Sequence, residues 1–412
     1  MIKENVQIIL LDKDYHSIDD LRYNQKVGIM FSKDKFEEFL NIKDSLVDEE
    51  DYIKKLPLKT FNSKHCFFVE ANYLLSIRNE YLRIHLSDFK LNHSWLFDRN
   101  LEDMLKSRLF SEIEGTLNVE NVPTTHKRIV EVSKMEKPKD TNDIIIKNMF
   151  AAVEFITKQK PQFNKENLLK LYNILSDNCL PEDKKLKPGY YYRHDSVYVG
   201  DYEGADHKII DDCMNSLFEF ANDVNNIKTY NHYLPYICHY YMLYIHPYFD
   251  FNGRTARMVS FWLNYINNIS IAPYFMSEAI NDSKSDYYRA IVNTRETRND
   301  LTYFLGYILE TSIKYSFVYK NLEEIKKELS KTGESLSSAE WVYVKKIIIH
   351  NSEDFFNYKM FLGYIGSNMT KQGALKVLNK LWNYGILDKS KNKKNETIFK
   401  MNKGMITYKY HK

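Results

Sequence analysis

Two hydrophobic periods share this chain. From Leu96 to about Ser330, apolar residues recur at three- and four-residue spacing, which predicts helices buried along one face. The segments NDIIIKNMFAAVEFITKQ, FNKENLLKLYNIL, DDCMNSLFEFANDV, HYLPYICHYYMLYI, RTARMVSFWLNYI, SDYYRAIVNTRE and LTYFLGYILETSIKYSF all follow this period. LKPGYYYRHDSVYVGDYEGADHK interrupts them. Within it Tyr190–Tyr192 and Val197–Val199 alternate with period two, which predicts a short hairpin inside a helical bundle. A hairpin without a sheet to complete it is marginal alone. It is either a functional flap or a plain connector.

The flanks differ from this core. Residues 1–95 mix β-like runs (VQIILL, VGIMF, HCFFVE) with charged connectors and predict a mixed α/β cap. KKELSKTGESLSSAE, residues 326–340, is polar and predicts a linker with a helix cap at its end. AEWVYVKKIIIHN, FNYKMFLGYIG and TKQGALKVLNKLWNYG then resume the helical period, the last ending in glycine. ILDKS pairs by pattern with TIFKMN across KNKKNE. Three helices and a hairpin make a winged helix-turn-helix layout over 337–412. The expected division is thus 1–95, 96–330 and 337–412, in a mostly α chain.

Composition narrows the options. Of 412 residues, 44% are hydrophobic and 27% charged, so the chain can build a core and is not a disordered polymer. Lys and Arg number 58 against 55 acids, a net charge of +3. Whole-chain attraction to nucleic acid or membrane is excluded, and only local patches could supply it. Cys66, Cys179, Cys213 and Cys238 are far apart with no CxxC pair, which argues against a zinc ribbon or a disulfide framework. Thr229–Phe249 is the longest uncharged stretch, but two prolines and three histidines suit a buried helix better than a membrane span. The apolar run near the N-terminus is too short for a signal peptide, so a cytoplasmic location is expected.

The chemistry concentrates in IHPYFDFNGRTARM, residues 245–258. A Tyr-rich helix must end at His246, because Pro247 cannot continue it. Asn252 and Gly253 form turns, and a fresh helix follows. Its N-terminus offers free N–H groups and a positive dipole end to an anion. Arg254 and Arg257 are neighbours on its first turn and add two phosphate-binding forks. Arginine there opposes the dipole, so an anion is expected. Asp250 can hold a hard cation such as Mg²⁺, and alone would be a helix cap. His246 is the candidate general base. Together these make a phosphoryl- or nucleotidyl-transfer constellation. His239 and His246 could share a helix face as metal ligands, but no third ligand is apparent.

The string from His246 through Pro247, Tyr248, Phe249, Asp250, Phe251, Asn252, Gly253, Arg254, Thr255 and Ala256 to Arg257 resembles the Fic-domain motif HPFx(D/E)GNGRxxR. It agrees at seven of nine constrained positions. The resemblance covers roughly residues 100–325. It implies a Fic-type helical bundle with a β-hairpin flap and transfer of AMP from Mg·ATP to protein Tyr, Ser or Thr hydroxyls, the protein's own included. By the same resemblance His246 deprotonates the target hydroxyl and Asp250 binds the metal. The Asn252–Gly253 backbone holds phosphate, Arg254 neutralises it and Arg257 meets the terminal phosphate. Glycine at 253, where Doc-like phosphotransferases carry lysine, favours nucleotidyl transfer. Tyr248 for phenylalanine is a mild departure. Phe251 for glycine is not, since a side chain there narrows the cradle or forbids a positive φ.

Other segments resemble the family in the expected order. Val197-Tyr198-Val199-Gly200 resembles the flap that docks an extended target segment by strand addition. Tyr287-Tyr288 resembles the tyrosine pair beside the nucleotide base; the plain alternative is core packing. Phe110-Ser111-Glu112-Ile113-Glu114-Gly115 resembles the inhibitory-helix motif (S/T)xxxE(G/N), with Phe110 in the serine or threonine position. That implies Glu114 pairing with Arg257; the plain alternative is the last turn of a surface helix. Two other functions stay open: transfer from another phosphate-linked donor, argued from Phe251, and a DNA-binding regulator whose Fic core senses nucleotide. Beyond a protein substrate, the candidate partners are a second copy of the chain and duplex DNA. The DNA would meet the lysines of 371–394, which are otherwise a solvated face.

Overall fold

A computed structural model describes residues 2–15, 33–62, 64–92, 99–267, 276–351, 354–366 and 369–406. VGIMF, at 27–31, lies outside them. The chain is mostly helical with three small hairpins, and it divides into two compact units, Met1–Thr311 and Ser312–Lys412.

The first unit opens with α1 (Ile2–Leu10) and α2 (Lys33–Leu46), followed by the antiparallel strands β1 (Ile53–Lys59) and β2 (His65–Val69). HCFFV is a strand, as its pattern predicts. VQIILL is not: all of it but Leu11 lies in α1. Val6, Ile9 and Leu10 fall three and four apart and are buried, whereas Ile8 is 65% exposed, so the run follows the helical period. They pack with Phe36, Phe39, Leu40, Ile53 and Val69 in one core. A buried ion pair ties this core to the helical bundle: Lys43 Nζ lies 2.9 Å from Asp300, which also accepts from Thr302 and the Tyr15 hydroxyl.

The bundle comprises α3 (Asn72–Asn92), α4 (Arg99–Val119), α5 (His126–Lys134), α6 (Thr141–Gln159) and α7 (Lys165–Ser176) before the flap strands β3 (Tyr198–Val199) and β4 (Tyr202–Glu203). After them come α8 (Ile210–Asn222), α9 (Val224–Tyr230), α10 (Leu234–Ile245), α11 (Asn252–Ile266), α12 (Met276–Asp282) and α13 (Lys284–Glu296). Side-chain caps at Thr125, Asp140, Asn164 and Asp223 fix where α5, α6, α7 and α9 begin. α10 is buried nearly all round and packs along α11, while Trp262 fills the centre against Phe155 and Phe163.

α14 (Thr302–Thr332) begins in the first unit and ends in the second. The stretch expected as a linker is therefore helical as far as Thr332, because Ile325 and Leu329 are buried in the C-terminal core. Gly333 then turns the chain at φ +73°. The expected cap follows: Ser337 and Glu340 bond reciprocally, as in a capping box. α15 (Ser338–Asn351), α16 (Tyr358–Ile365) and α17 (Lys371–Asn383) precede the antiparallel hairpin of β5 (Leu387–Lys391) and β6 (Thr397–Met401). Phe356 adds a single antiparallel bridge alongside β6 by exchanging two backbone bonds with Phe399, at 2.8 Å each. This is the winged helix-turn-helix arrangement.

Candidate active site

α10 stops at His246, whose φ of 56° and ψ of 62° are left-handed, with its N–H donating to Met242 O at 3.0 Å. Pro247 forbids another helical turn. The loop that follows is braced from within. The Asn252 side chain accepts from the Tyr248 N–H at 2.9 Å and donates to the Tyr248 carbonyl at 2.8 Å. Tyr248 is buried, its ring stacked on Tyr172 at 3.7 Å. Asp250 accepts from the Phe251 N–H at 2.5 Å and is otherwise exposed. α11 starts at once, and its first amides face the loop.

Phe251 takes φ 64°, ψ 8° at the N-cap. The expectation that a side chain here forbids a positive φ is therefore incorrect. The strain, about 1–2 kcal/mol, is offset by packing: the Phe251 ring lies against the Arg254 guanidinium at 3.4 Å. Arg254 is buried, with Asp250 4.0 Å away, and its Nε and Nη1 have no partner among the described residues. Buried, unpartnered guanidinium nitrogens are costly, so these residues fit an anionic ligand. Burial, chiefly, lowers the Arg254 pKa. Thr255 and Ala256 play internal parts. The Thr255 hydroxyl donates to the Phe251 carbonyl at 2.8 Å, and Ala256 is in the core.

Arg257 is buried and engaged through Nε and Nη2, though not by Glu114. Its Nε donates to Thr116 Oγ1 at 2.8 Å, and its Nη2 to the Thr116 carbonyl at 3.2 Å and to Glu120 at 2.7 Å. Glu114 is half-exposed, 3.9 Å from His126. The reason is helical geometry. Two residues along a helix is about 200° of rotation, so Glu114 faces away from Thr116. Phe110 packs edge-on against Phe150. Thr116-Leu117-Asn118-Val119-Glu120-Asn121 satisfies (S/T)xxxE(G/N) at every constrained position. That threonine was the signal that Phe110 lacks. Burial raises the Glu120 pKa, but Arg257, Arg254 and Lys284 outweigh it and hold the carboxyl below its ordinary value. Glu120 also sits against the first turn of α11, since a Cβ on Gly253 would lie 2.3 Å from its Oε1.

The helix that delivers this carboxylate is held by close contact. A Cβ on Gly115 would lie 2.3 Å from the Glu278 backbone nitrogen, so α4 and α12 meet main chain to main chain. Beside it the buried Glu112 accepts from the Ser277 N–H at 2.7 Å, and burial pushes its pKa up to about 8.

His246 is mostly buried, which lowers its pKa to about 4. It is neutral near pH 7, as a proton acceptor must be. Its main chain is fixed by a residue the sequence pattern does not single out. Arg193, 2% exposed, donates from Nε to the His246 carbonyl at 2.8 Å, from Nη1 to Asp195 O at 2.5 Å, and from Nη2 to Ala205 O. Its own N–H donates to Pro247 O at 2.9 Å. Arg193 thus joins the base of the flap to the turn at His246. Gly204 permits that closeness, since a Cβ there would lie 3.1 Å from the His246 Cβ.

The flap is a two-rung hairpin, Tyr198 opposite Glu203 and Val199 opposite Tyr202, turning at Gly200 with φ +59°. Tyr198, Val199 and Gly200 are exposed and Val197 is half-buried. Tyr202 anchors the hairpin by bonding the Tyr244 carbonyl. The predicted tyrosine pair divides its roles. Tyr287 is buried and shares a 2.9 Å hydrogen bond with His239, whereas Tyr288 is 45% exposed. No group of three His, Cys, Asp or Glu that could hold a metal occurs among the described residues. No helix among them is long and apolar enough to cross a membrane.

Residues 162–263 match the model of the Fic/DOC family. Similar solved structures include a Fic family protein from Desulfovibrio desulfuricans G20, 16% identical over 82% of this chain and 97% of that one, with a TM-score of 0.49. Fic-1 from C. elegans is 14% identical over 78% of this chain and 82% of that one, with a TM-score of 0.46. A Fic domain containing signaling protein from Bacteroides thetaiotaomicron VPI-5482 is 13% identical over 64% of this chain and 99% of that one, with a TM-score of 0.41. The matched stretch runs from α7 through the flap and the His246–Arg257 loop into α11, so the part of the chain that resembles the Fic/DOC family is the part that carries the candidate site.

Proposed function

We propose that this protein is a transferase that moves AMP from ATP to a hydroxyl of a protein, itself included, and that Glu120 restrains it. The observation that carries this reading is Arg254, a buried guanidinium with two unpartnered nitrogens on the same short loop as a neutral histidine. The arginine calls for an anion and the histidine can take a proton.

The loop supports binding of the donor's phosphates at Arg254 and the first amides of α11. Asp250 would hold Mg²⁺, which when bound neutralises phosphate charge. Neutral His246 accepts the proton of the target hydroxyl. The hydroxyl oxygen forms a bond to the α-phosphorus while the bond from that phosphorus to the bridging oxygen breaks, and pyrophosphate leaves. His246 then passes its proton to solvent. The exposed flap edge, Tyr198 and Val199, would hold the target segment. Tyr288 would offer the ring for the base. Arg257 would meet the terminal phosphate, but Glu120 occupies its fork, so the donor is denied the in-line pose that transfer needs.

Label incorporation from α-labelled ATP, measured for parent, Glu120→Gly and Glu120→Gly with His246→Ala, tests this. Glu120→Gly should raise incorporation roughly 10- to 100-fold, the scale of one charge-assisted hydrogen bond. Adding His246→Ala should remove at least about 100-fold. No gain in the single variant would end the inhibitory assignment. A gain that survives in the double variant would end the assignment of the base. Incorporation from another nucleotide in preference to ATP would favour the alternative donor argued from Phe251.

A further inference from the structure

We infer that the C-terminal unit binds duplex DNA, with α17 reading the major groove and the β5–β6 hairpin following the backbone. The whole chain is close to neutral, but its charge is unevenly placed. From Tyr358 to Ile406 ten lysines stand against two carboxylates, Asp388 and Glu396. Such local asymmetry is an electrostatic footprint for phosphate.

Structure separates the lysines already engaged from those on offer. Lys380 is held by Glu340 at 2.8 Å, and Lys389 donates to Asn379 at 2.8 Å. Lys359, Lys371, Lys376, Lys391, Lys393 and Lys394 are exposed, and no ion pair holds them among the described residues. α17 is the last helix of the helix-turn-helix, the position of a recognition helix. Its buried face is Ala374, Leu378 and Leu381. Its opposite face carries Gln372, Lys376, Asn379 and Asn383, at i, i+4, i+7 and i+11. These side chains bond the edges of guanine and adenine, and no carboxylate among them repels phosphate.

A protein partner docking through apolar contact fits less well. Two exposed rings of this unit are covered by cations: Lys389 sits over Trp382 at 4.4 Å and Lys400 over Phe355 at 5.5 Å. Duplex RNA fits less well too, because its major groove is too narrow and deep for side chains to read.

The test is binding of the full-length protein to a random-sequence DNA duplex of about 30 base pairs, followed by anisotropy between about 50 and 200 mM salt. Four proteins are compared: parent, the wing variant K391Q/K393Q/K394Q, the helix variant K371Q/K376Q, and the control K134Q/K137Q/K139Q in the first unit. The expected result is a linear log–log fall in affinity with salt for the parent, with a slope lowered by about 3 in the wing variant. The helix variant should bind at least about tenfold more weakly, and the control should match the parent. Absence of duplex binding at the lowest salt, equal losses in wing variant and control, or tighter binding to an RNA duplex would each overturn the inference.

Discussion

His246 is held neutral by its burial, and that has a measurable sign. Its folded pKa of about 4 lies below the ordinary histidine value near 6.5. Between those values the unfolded chain binds a proton that the folded chain refuses, so stability rises with pH from about 4 to 6.5 and levels off above. An NMR titration of the His246 ring in the free protein should show a midpoint well below 6.5, and a midpoint at or above 6.5 would contradict the buried environment. Phe251 makes a second residue-scale test. Glycine there would relieve left-handed strain and remove the platform beneath Arg254, two effects of about 1–2 kcal/mol and opposite sign. Phe251→Gly should leave Tm within a few degrees of the parent while raising KM for ATP about tenfold; an unchanged KM would show that the ring does not position Arg254. The loop itself was legible in sequence because its twelve residues are contiguous and their types mean something at that spacing. Glu120 was not, because the pair Glu114-Gly115 fits the end of the same motif. Only the threonine at its start separates the two candidates.

The elements around the loop set what it can do. α4 presents Thr116 and Glu120 to Arg257 because Gly115 lets it rest directly on the Ser277–Glu278 backbone. Gly115→Ala would place a methyl inside main chain and cost about 1–3 kcal/mol. We expect a Tm lower by several degrees together with raised basal transfer; a lower Tm with unchanged transfer would separate the docking of α4 from inhibition. The flap and the end of α10 are joined through Arg193, which bonds three carbonyls from three chain segments. Lysine keeps the charge but not the fork. Arg193→Lys should lower kcat about tenfold with KM for ATP unchanged, since the bonded carbonyl belongs to His246 and not to the phosphate cradle. A change in KM alone would move its role to donor binding. Helical period and turn residues made α6, α7, α8, α10, α11 and the flap readable in advance, but not the short α9. VQIILL misled because a short apolar run has no period of its own until its burial is known. Arg193 left no sequence signal, because its partners are backbone carbonyls.

At the scale of the whole molecule there are two compact units: one contains the segment that matches the Fic/DOC family model, and the other is a lysine-rich winged helix. The layout of that winged helix was readable from three helical patterns, a glycine stop and a hairpin. Where its core begins was not, because Val318, Ile325 and Leu329 belong to a helix that starts in the other unit. On the proposed reading an adenylyl group, and not a phosphoryl group, passes to protein. Glu120→Gly protein should therefore be incubated with Mg²⁺ and either α-labelled or γ-labelled ATP, and protein-bound label counted. Label should come from the α position and none from the γ position, and both the label and its dependence on Mg²⁺ should be lost when Asp250→Ala is added. Label from the γ position, or none from the α position in a folded protein that binds ATP, would contradict that reading.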